Sequence, residues 1–338
     1  MMTMIDAHIH FSEDLGAENL LKVIERYGYE AIALPCFPKG LERPSEPDAF
    51  AFRSLCASLR VPVNVYIFGG MDYSAYSLPE EELSRALVRR VEELTDLGCT
   101  GIKLLEGKPN VRKMIPVPDF DKPVFEPFWT ALEKNGIPVI FHVNDPEEFW
   151  DISLCPSPEE REFRIRSGWV YDSSYVNNEE QYRQVIEVAK RHPGLRILFP
   201  HFFFLSRQLL RFAGILDACP NIMTDMTPGV ELYLNLSDNV EEARAFFQKY
   251  QDRICYGTDI GSRQVYVREP VSLNMEETAA RVSLVTGFLN SKEEYTLRPD
   301  AYYRGPEEKR MHPLCLPETV QRKIYRENFL RFIGDRSV

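Results

Sequence analysis

Short apolar runs and longer amphipathic stretches alternate along the chain. Runs rich in β-branched residues favour buried strands, and apolar residues spaced three and four apart favour amphipathic helices. Helices are therefore predicted between the strands, and the clearest of them, 78–97, ends before Gly98. The pattern predicts eight strands, at 4–10, 30–37, 61–68, 100–105, 137–143, 195–201, 221–226 and 253–259.

Eight strand–helix units in 338 residues predict an α/β fold, a closed (β/α)8 TIM barrel. An open doubly wound sheet would favour a GxGxxG turn after the first strand, where this chain has HIHFSEDLG. We interpret residues 1–338 as a single domain. Two segments, 144–177 and 260–316, interrupt the alternation after strands five and eight. They are predicted to be loop insertions over the end of the barrel that carries active sites.

Composition narrows the expected partners. The chain has 40 basic and 51 acidic residues, a net charge of −11, which argues against nucleic acid or an anionic membrane as partner. A small-molecule substrate is the expected partner, and homo-oligomerisation is left open. The seven cysteines form no CxxC motif. With no secretory leader and no long apolar run, the sequence predicts a cytoplasmic protein.

Histidines concentrate at the ends of the predicted strands. Of the six histidines, His8 and His10 end strand one, His142 lies near the end of strand five, and His201 ends strand six. Asp259 ends strand eight. Because the carboxyl ends of barrel strands open on one face, these side chains should converge there. Imidazoles and a carboxylate are suitable ligands for Zn²⁺ and similar divalent metals.

The HxH spacing of His8 and His10 supports this interpretation. Residues two apart on a strand point to the same side, so both imidazoles could bind one ion. A single strand-end histidine such as His142 or His201 is more often a hydrogen-bonded core residue than a ligand. The joint pattern favours a metal centre, because the alternative needs several coincidences at the same end of the barrel.

Five segments stand in the order seen in the amidohydrolase superfamily: MIDAHIH, TGIKLL, VIFHV, LRILFPHF and ICYGTDI. The chain most resembles the amidohydrolase-related branch, which includes aminocarboxymuconate semialdehyde decarboxylase and several lactonases and hydratases. The resemblance spans roughly residues 4–260. It implies one divalent metal, Zn²⁺ or else Mn²⁺, held by His8, His10, His142 and Asp259, with His201 beside it.

Lys103 matches a position at which binuclear relatives carry a metal-bridging lysine. This chain has Leu104 and Leu105 where the branch often has KLH. The number of metals is therefore left open. Lys103 is interpreted either as a structural or substrate-contacting residue, or as a bridge between two metals.

The predicted activity is metal-dependent hydrolysis of a small carboxylated or cyclic substrate, such as an amide, ester or lactone. A divalent metal would activate water, Asp259 would transfer its proton, and His201 would stabilise the oxyanion. Decarboxylation or hydration at the same metal is an alternative. A Schiff-base reaction through Lys103 and a non-enzymatic metal-binding barrel are further alternatives.

Candidate substrate-binding residues are cationic or aromatic. Arginine or lysine pairs with a substrate carboxylate, and aromatic side chains cover apolar rings. Packing at the rim of the barrel is an equally good interpretation of each residue. The candidates are Lys103, Arg112, Arg166, Trp169 and Tyr171.

Overall fold

A computed structural model describes residues 3–41, 43–155, 157–262, 272–305 and 307–335 of the chain. Eight parallel strands, each paired with the next along the chain, form one sheet. The predicted TIM barrel is confirmed. The strands are β1 (Met4–Asp6), β2 (Tyr29–Pro35), β3 (Asn64–Gly70), β4 (Gly101–Gly107), β5 (Val139–Val143), β6 (Ile197–Phe199), β7 (Ile222–Asp225) and β8 (Ile254–Cys255).

Backbone hydrogen bonds just beyond β1 and β8 close the sheet into a barrel. The Asp259 N–H donates to the His8 carbonyl at 2.9 Å, and the His10 N–H donates to the Ile260 carbonyl at 2.8 Å. An isolated parallel bridge joins Ile9 to Ile260 between them. Barrel closure therefore brings the first and last strand ends side by side and sets three of the predicted metal ligands next to one another.

Helices alternate with the strands. They are α1 (Ala17–Tyr27), α2 (Glu46–Ser58), α3 (Glu80–Asp96), α4 (Pro109–Met114), α5 (Glu126–Asn135), α6 (Glu147–Trp150), α7 (Pro158–Arg166), α8 (Asn178–Arg191), α9 (Leu209–Ala218), α10 (Val230–Asp238), α11 (Val240–Lys249), α12 (Met275–Asn290), α13 (Glu318–Arg322) and α14 (Asn328–Ile333). Among the described residues, none of these helices has both the length and the apolar character needed to cross a bilayer.

The two insertions have secondary structure of their own. The segment 144–177 contains α6 and α7, which the sequence pattern did not predict. The segment 260–316 contains α12 and a hairpin of β9 (Tyr295–Leu297) and β10 (Lys309–Met311). Residues 263–271 and 306 of that insertion lie outside the described part of the chain.

Strand residues alternate between the barrel interior and the surrounding helices, as the pleat requires. Leu198 packs in the interior cluster, whereas its neighbour Phe199 packs in the cluster that lies under the helices. Phe329, Leu330 and Phe332 of α14 complete the interior cluster. The helix α14 therefore plugs the barrel interior.

Several predicted strand ends differ from the structure where the candidate site residues lie. β1 ends at Asp6, so His8 and His10 follow the strand. β6 and β8 likewise end before His201 and Asp259. The prediction that these four residues lie on strands is wrong. They lie two to four residues beyond the strand ends. After β1 and β8, the Ile9–Ile260 bridge and single hydrogen bonds replace the continuous ladder, and after β6 the backbone becomes left-handed. His142 does lie on β5.

Candidate metal centre

His8, His10 and Asp259 form a compact group of possible metal ligands beyond the ends of β1 and β8. One ligand atom from each lies within 4.8 Å of the others. Asp259 Oδ1 is 3.3 Å from His10 Nε2 and 3.9 Å from His8 Nε2. Ligand atoms around a tetrahedral Zn²⁺ lie about 3.4 Å apart. The spacing and the donor types of the group therefore fit a divalent cation.

Hydrogen bonds on the far side of each imidazole present its Nε2 to this group. His8 Nδ1 lies 3.1 Å from Asp225 Oδ2, and His10 Nδ1 lies 3.0 Å from the Pro35 carbonyl oxygen. Both partners are acceptors, so each Nδ1 carries a proton, which leaves Nε2 as the nitrogen that can bind a cation. Burial, and then the charge of Lys103, lowers the pKa of His8 well below its ordinary value. The imidazole is therefore neutral, as metal binding requires.

Asp259 contacts the two histidines of the group on one side and Arg281, a residue of α12, on the other. Asp259 Oδ2 is 3.5 Å from the Arg281 guanidinium. Burial alone would raise the pKa of Asp259, but the contact with His10 and the charge of Arg281 hold that pKa well below its usual value. Arg281 also donates to Glu277 at 2.9 Å and lies 4.1 Å from the ring centroid of Tyr302. Asp259 is therefore ionised at neutral pH.

Lys103 lies inside the barrel next to the same group. Its Nζ is 3.5 Å from His8 Nε2, and the residue is buried. Burial lowers the pKa of Lys103 to about 8. This position is compatible with a metal-bridging lysine and with a substrate contact, so both interpretations stay predictions.

His142 lies beside this group but is not part of it. Its Nε2 contacts the Asn144 carbonyl oxygen at 3.0 Å and Asp145 Oδ1 at 3.6 Å, which leaves Nδ1 for a cation. Burial, with the charge of Lys108, lowers the pKa of His142 to about 4. Its ring centroid is 5.0 Å from that of His201. Its predicted role as a fourth ligand stays a prediction.

His201 begins a left-handed turn after Pro200, the residue that follows the end of β6. The φ angles of His201, Phe202, Phe203 and Phe204 are 58°, 54°, 55° and 54°. Residues other than glycine pay roughly 1–2 kcal/mol each in left-handed helical backbone. Tertiary contacts hold the turn, since Phe202 and Phe203 are fully buried and the His201 N–H donates to Asp225 Oδ1 at 2.9 Å. Such strain concentrates at functional sites.

The left-handed turn places the His201 ring over the candidate metal centre. Its centroid is 5.9 Å from that of His8, and the ring stacks on Phe204 at 5.0 Å. Burial, and then the neighbouring His142, lowers the pKa of His201 well below its ordinary value. At neutral pH this imidazole is uncharged and can donate one hydrogen bond.

Arg112, a predicted substrate residue, is engaged by partners within the protein. Its guanidinium donates to Asp119 Oδ1 at 3.1 Å and to Gln184 Oε1 at 3.1 Å. It also lies 4.7 Å from the ring centroid of Phe120, and the side chain is 2% exposed. These contacts favour a structural role for Arg112 over the predicted substrate contact.

The other three substrate candidates lie in the insertion 144–177. Tyr171 is buried, and its hydroxyl donates to Asp145 Oδ2 at 2.5 Å, next to the histidine of β5. Trp169 stacks on Phe149 with ring centroids 5.3 Å apart. Arg166 is exposed at the end of α7. Of these three, Tyr171 contacts Asp145, which lies next to His142 beside the candidate centre.

Sequence reasoning missed Asp225 and Arg281. Asp225 is the last residue of β7, and this strand-end position is the signal that singled out the histidines, so the same criterion could have found it. Arg281 carries no comparable signal. The apolar pattern of its helix is weak. The position of an arginine in such a helix does not show whether its side chain faces the barrel or the solvent.

Glu106 is a further buried carboxyl group near this end of the barrel, on β4. The Tyr76 hydroxyl donates to its Oε1 at 2.8 Å, and the Leu105 N–H donates to its Oε2 at 2.7 Å. Burial raises the pKa of Glu106 from 4.5 to about 7. The folded protein therefore binds this proton more tightly than the unfolded chain does.

Replacing Glu106 by Gln is expected to flatten the pH dependence of stability. The contribution of Glu106 to the free energy of unfolding is fully present below its unfolded pKa of 4.5 and is lost as the pH rises through about 7. The loss amounts to about 3 kcal/mol. Urea denaturation at about pH 5 and about pH 8 measures it. Asp217→Asn, in an exposed pair with Lys249, is the control, and parallel curves for wild type and Glu106→Gln would refute the assignment.

The barrel and the polar group at the carboxyl ends of its strands define a TIM-barrel enzyme with a potential metal centre. The chain belongs to the amidohydrolase family, since the family profile described as Amidohydrolase matches residues 73–334. The match includes His142, His201 and Asp259 and begins after His8 and His10. It confirms the resemblance seen in the sequence motifs. This family generally uses a divalent metal.

Solved structures share the fold at low identity. An uncharacterized TIM-barrel protein from Bordetella bronchiseptica is 14% identical over 99% of both chains, with a TM-score of 0.56. A 5-carboxyvanillate decarboxylase from Sphingomonas paucimobilis is 13% identical over 98% of this chain and 99% of its own, with a TM-score of 0.51. A dihydroorotase from Campylobacter jejuni is 13% identical over 98% and 83%, with a TM-score of 0.52. No curated protein matches the chain.

Proposed function

We propose that the protein is a metal-dependent hydrolase that acts on a carbonyl carbon of a small anionic substrate, such as an amide, ester or lactone. The observation that carries this proposal is the convergence of ligand atoms from His8, His10 and Asp259 within 4.8 Å. Two imidazole nitrogens and a carboxylate oxygen suit Zn²⁺, with Mn²⁺ as second choice. When bound, such a cation would polarise the carbonyl and activate water.

Asp259 is the proposed proton carrier. It is ionised at neutral pH, so it can accept a proton from the attacking water and return it to the leaving group. Arg281 contacts Oδ2, and Oδ1 is the atom that faces His8 and His10. His201 is neutral and can donate an N–H to the oxyanion that develops on the attacked carbonyl. Burial and neighbouring charges favour the protonation states that both roles require.

The positive charges beside the centre support an anionic substrate. Lys103 lies 3.5 Å from His8 Nε2, and Arg281 lies 3.5 Å from Asp259 Oδ2. These cations flank the ligand group and would add to the charge of a bound metal. A carboxylate on the substrate would be attracted by both side chains, and arginine can bind it through two parallel hydrogen bonds.

Non-oxidative decarboxylation is a second candidate activity. Lys103 favours it, because a cation next to the centre, together with a bound metal, would stabilise the negative charge that remains on the substrate as carbon dioxide leaves. Hydrolysis consumes water and leaves the carboxylate in place, whereas decarboxylation removes it. The two reactions therefore differ in a product that can be measured directly.

Purified without chelator, the protein is expected to contain about one divalent metal per chain and to turn over part of a panel of lactones, amides and carboxylated aromatics. Elemental analysis measures the metal, and acid release and carbon dioxide release distinguish the two reactions. Chelation should abolish turnover, and Zn²⁺ or Mn²⁺ should restore it. Turnover that survives complete metal removal, or borohydride trapping of substrate on Lys103, would replace this proposal with Schiff-base chemistry.

A further inference from the structure

We propose that Asp225 is a positioning residue whose single carboxylate sets the tautomer of His8 and anchors the left-handed turn that carries His201. The inference rests on the proposed metal site, in which His8 is a ligand. Asp225 would thereby couple His8, which would hold the metal, to His201, which would stabilise the oxyanion. The described contacts of Asp225 are with His8, His201 and Thr227, so it acts through other residues.

The two carboxylate oxygens of Asp225 contact different partners. Oδ2 lies 3.1 Å from His8 Nδ1, whereas Oδ1 accepts hydrogen bonds from the His201 N–H at 2.9 Å and the Thr227 N–H at 3.0 Å. Asp225 is fully buried, so water does not substitute for these contacts. Backbone N–H groups can only donate, which fixes Oδ1 as an acceptor.

The contact at Oδ2 determines which nitrogen of His8 is available to a metal. A carboxylate can only accept, so it stabilises the tautomer with the proton on Nδ1. Nε2 then presents its lone pair towards Asp259 Oδ1, 3.9 Å away. The opposite tautomer would point an N–H into the candidate centre and remove His8 as a ligand.

The contact at Oδ1 secures the backbone that positions His201. Four consecutive residues of that turn have positive φ, a conformation that is unfavourable for histidine and phenylalanine. A charged acceptor for the His201 N–H stabilises the first residue of the turn, and the Thr227 N–H shares the same oxygen. Loss of this acceptor would leave two buried donors unpaired.

Asparagine at position 225 cannot satisfy both sides, because it has one acceptor oxygen and one NH₂ group. If the oxygen accepts from the two backbone N–H groups, the NH₂ group faces His8 Nδ1. His8 would then change tautomer, with its proton on Nε2. If the amide is reversed, the NH₂ group opposes the N–H groups of His201 and Thr227. The first arrangement keeps two hydrogen bonds and is therefore the expected one.

Asp6 provides a matched control for Asp225→Asn. It is also fully buried at this end of the barrel, and its Oδ1 accepts from the His8 and Thr258 N–H groups at 3.0 and 3.2 Å. Its Oδ2 accepts from the Thr258 hydroxyl at 2.6 Å. A hydroxyl can turn to accept from an NH₂ group, so Asp6→Asn requires no change in an imidazole.

The experiment measures Zn²⁺ affinity of the full chain by competition with a chromophoric chelator. Asp225→Asn is expected to weaken it by roughly 10–100-fold, the range found for groups that orient metal-ligating histidines. Asp6→Asn should stay within about threefold of wild type, since its hydrogen bonds are preserved. Equal affinities of Asp225→Asn and wild type would overturn the inference, as would equal losses in both variants. If wild type itself binds no Zn²⁺, the proposed function fails.

Nitrogen-15 NMR of the histidine side chains in the metal-free protein tests the same inference without any metal. Wild type is expected to show His8 protonated on Nδ1, and Asp225→Asn is expected to show a shift towards Nε2. This measurement is informative even if Asp225→Asn is too unstable to assay, because the wild-type tautomer alone decides it. A wild-type His8 protonated on Nε2 would overturn the role of Asp225 and leave the other ligands unaffected.

Discussion

The His10→Ala variant is expected to lose stoichiometric binding of a divalent metal and, with it, metal-supported turnover. His10 Nε2 lies 3.3 Å from Asp259 Oδ1, and the Pro35 carbonyl fixes its tautomer, so this imidazole is held ready for ligation. Changes that only reorient a ligand cost 10–100-fold in affinity. Removal of the ligand itself should cost at least about 100-fold. Metal titration of the apo-protein measures the loss.

His312→Ala is the matched control for this prediction. His312 is partly exposed and pairs with Glu294 at 2.8 Å, in the hairpin region of the insertion 260–316. Its removal also deletes an imidazole from the chain but should leave metal stoichiometry and affinity unchanged. Wild-type affinity in His10→Ala would show that the proposed centre is not where the metal binds, whatever its effect on turnover.

The His201→Asn variant is expected to keep its metal while its turnover number falls by about 10²–10³-fold, the usual cost of removing one oxyanion donor. Asparagine suits the test because it tolerates the left-handed backbone that His201 adopts, with φ of 58°. The shorter side chain withdraws its donor from the region above His8. Steady-state kinetics with a substrate from the panel, together with metal analysis of the same sample, measures both quantities.

His192→Asn is the corresponding control. His192 is buried at the end of α8, where it contacts Glu126 and Glu133 at 3.1 and 3.0 Å. Its replacement should affect stability more than turnover number. Loss of metal from His201→Asn would instead make His201 a ligand, and an unchanged turnover number would remove it from the proposed mechanism.

The fold could be predicted from the sequence because strands and helices each have a characteristic spacing of apolar residues. The apolar runs of β2, β4 and β5 and the amphipathic pattern of α3 placed these elements within a few residues of their observed bounds. Strand ends in a barrel share one face, so the same pattern predicts that His8, His10 and Asp259 lie close together. Periodicity therefore predicted the fold and the neighbourhood of the candidate centre.

The backbone at the barrel rim could not be predicted in this way. The segment His201–Phe204 is left-handed although four bulky residues disfavour that conformation. Burial of Phe202 and Phe203 and the acceptor on Asp225 offset the local cost. Local propensity gives no sign of such tertiary compensation, so the predicted strand ran on through His201.

The partners of charged side chains were also beyond the sequence pattern. Arg112 was a reasonable substrate residue by its chemistry, yet Asp119 and Gln184 engage its guanidinium. Arg281, in contrast, lies beside Asp259 although its helix showed nothing unusual. Both outcomes depend on tertiary packing, which brings together residues separated by 7 to 72 positions.

The plug formed by α14 has a consequence for synthesis of the protein. Phe329, Leu330 and Phe332 share one interior layer with Ile5 and Phe68, so the layer joins positions more than three hundred residues apart. These contacts can form only after residue 329 has been synthesised. Until this helix has left the ribosome, the apolar residues of the barrel interior that it covers stay exposed to solvent. Chaperone binding and proteolysis should therefore act mainly on chains that end before residue 329.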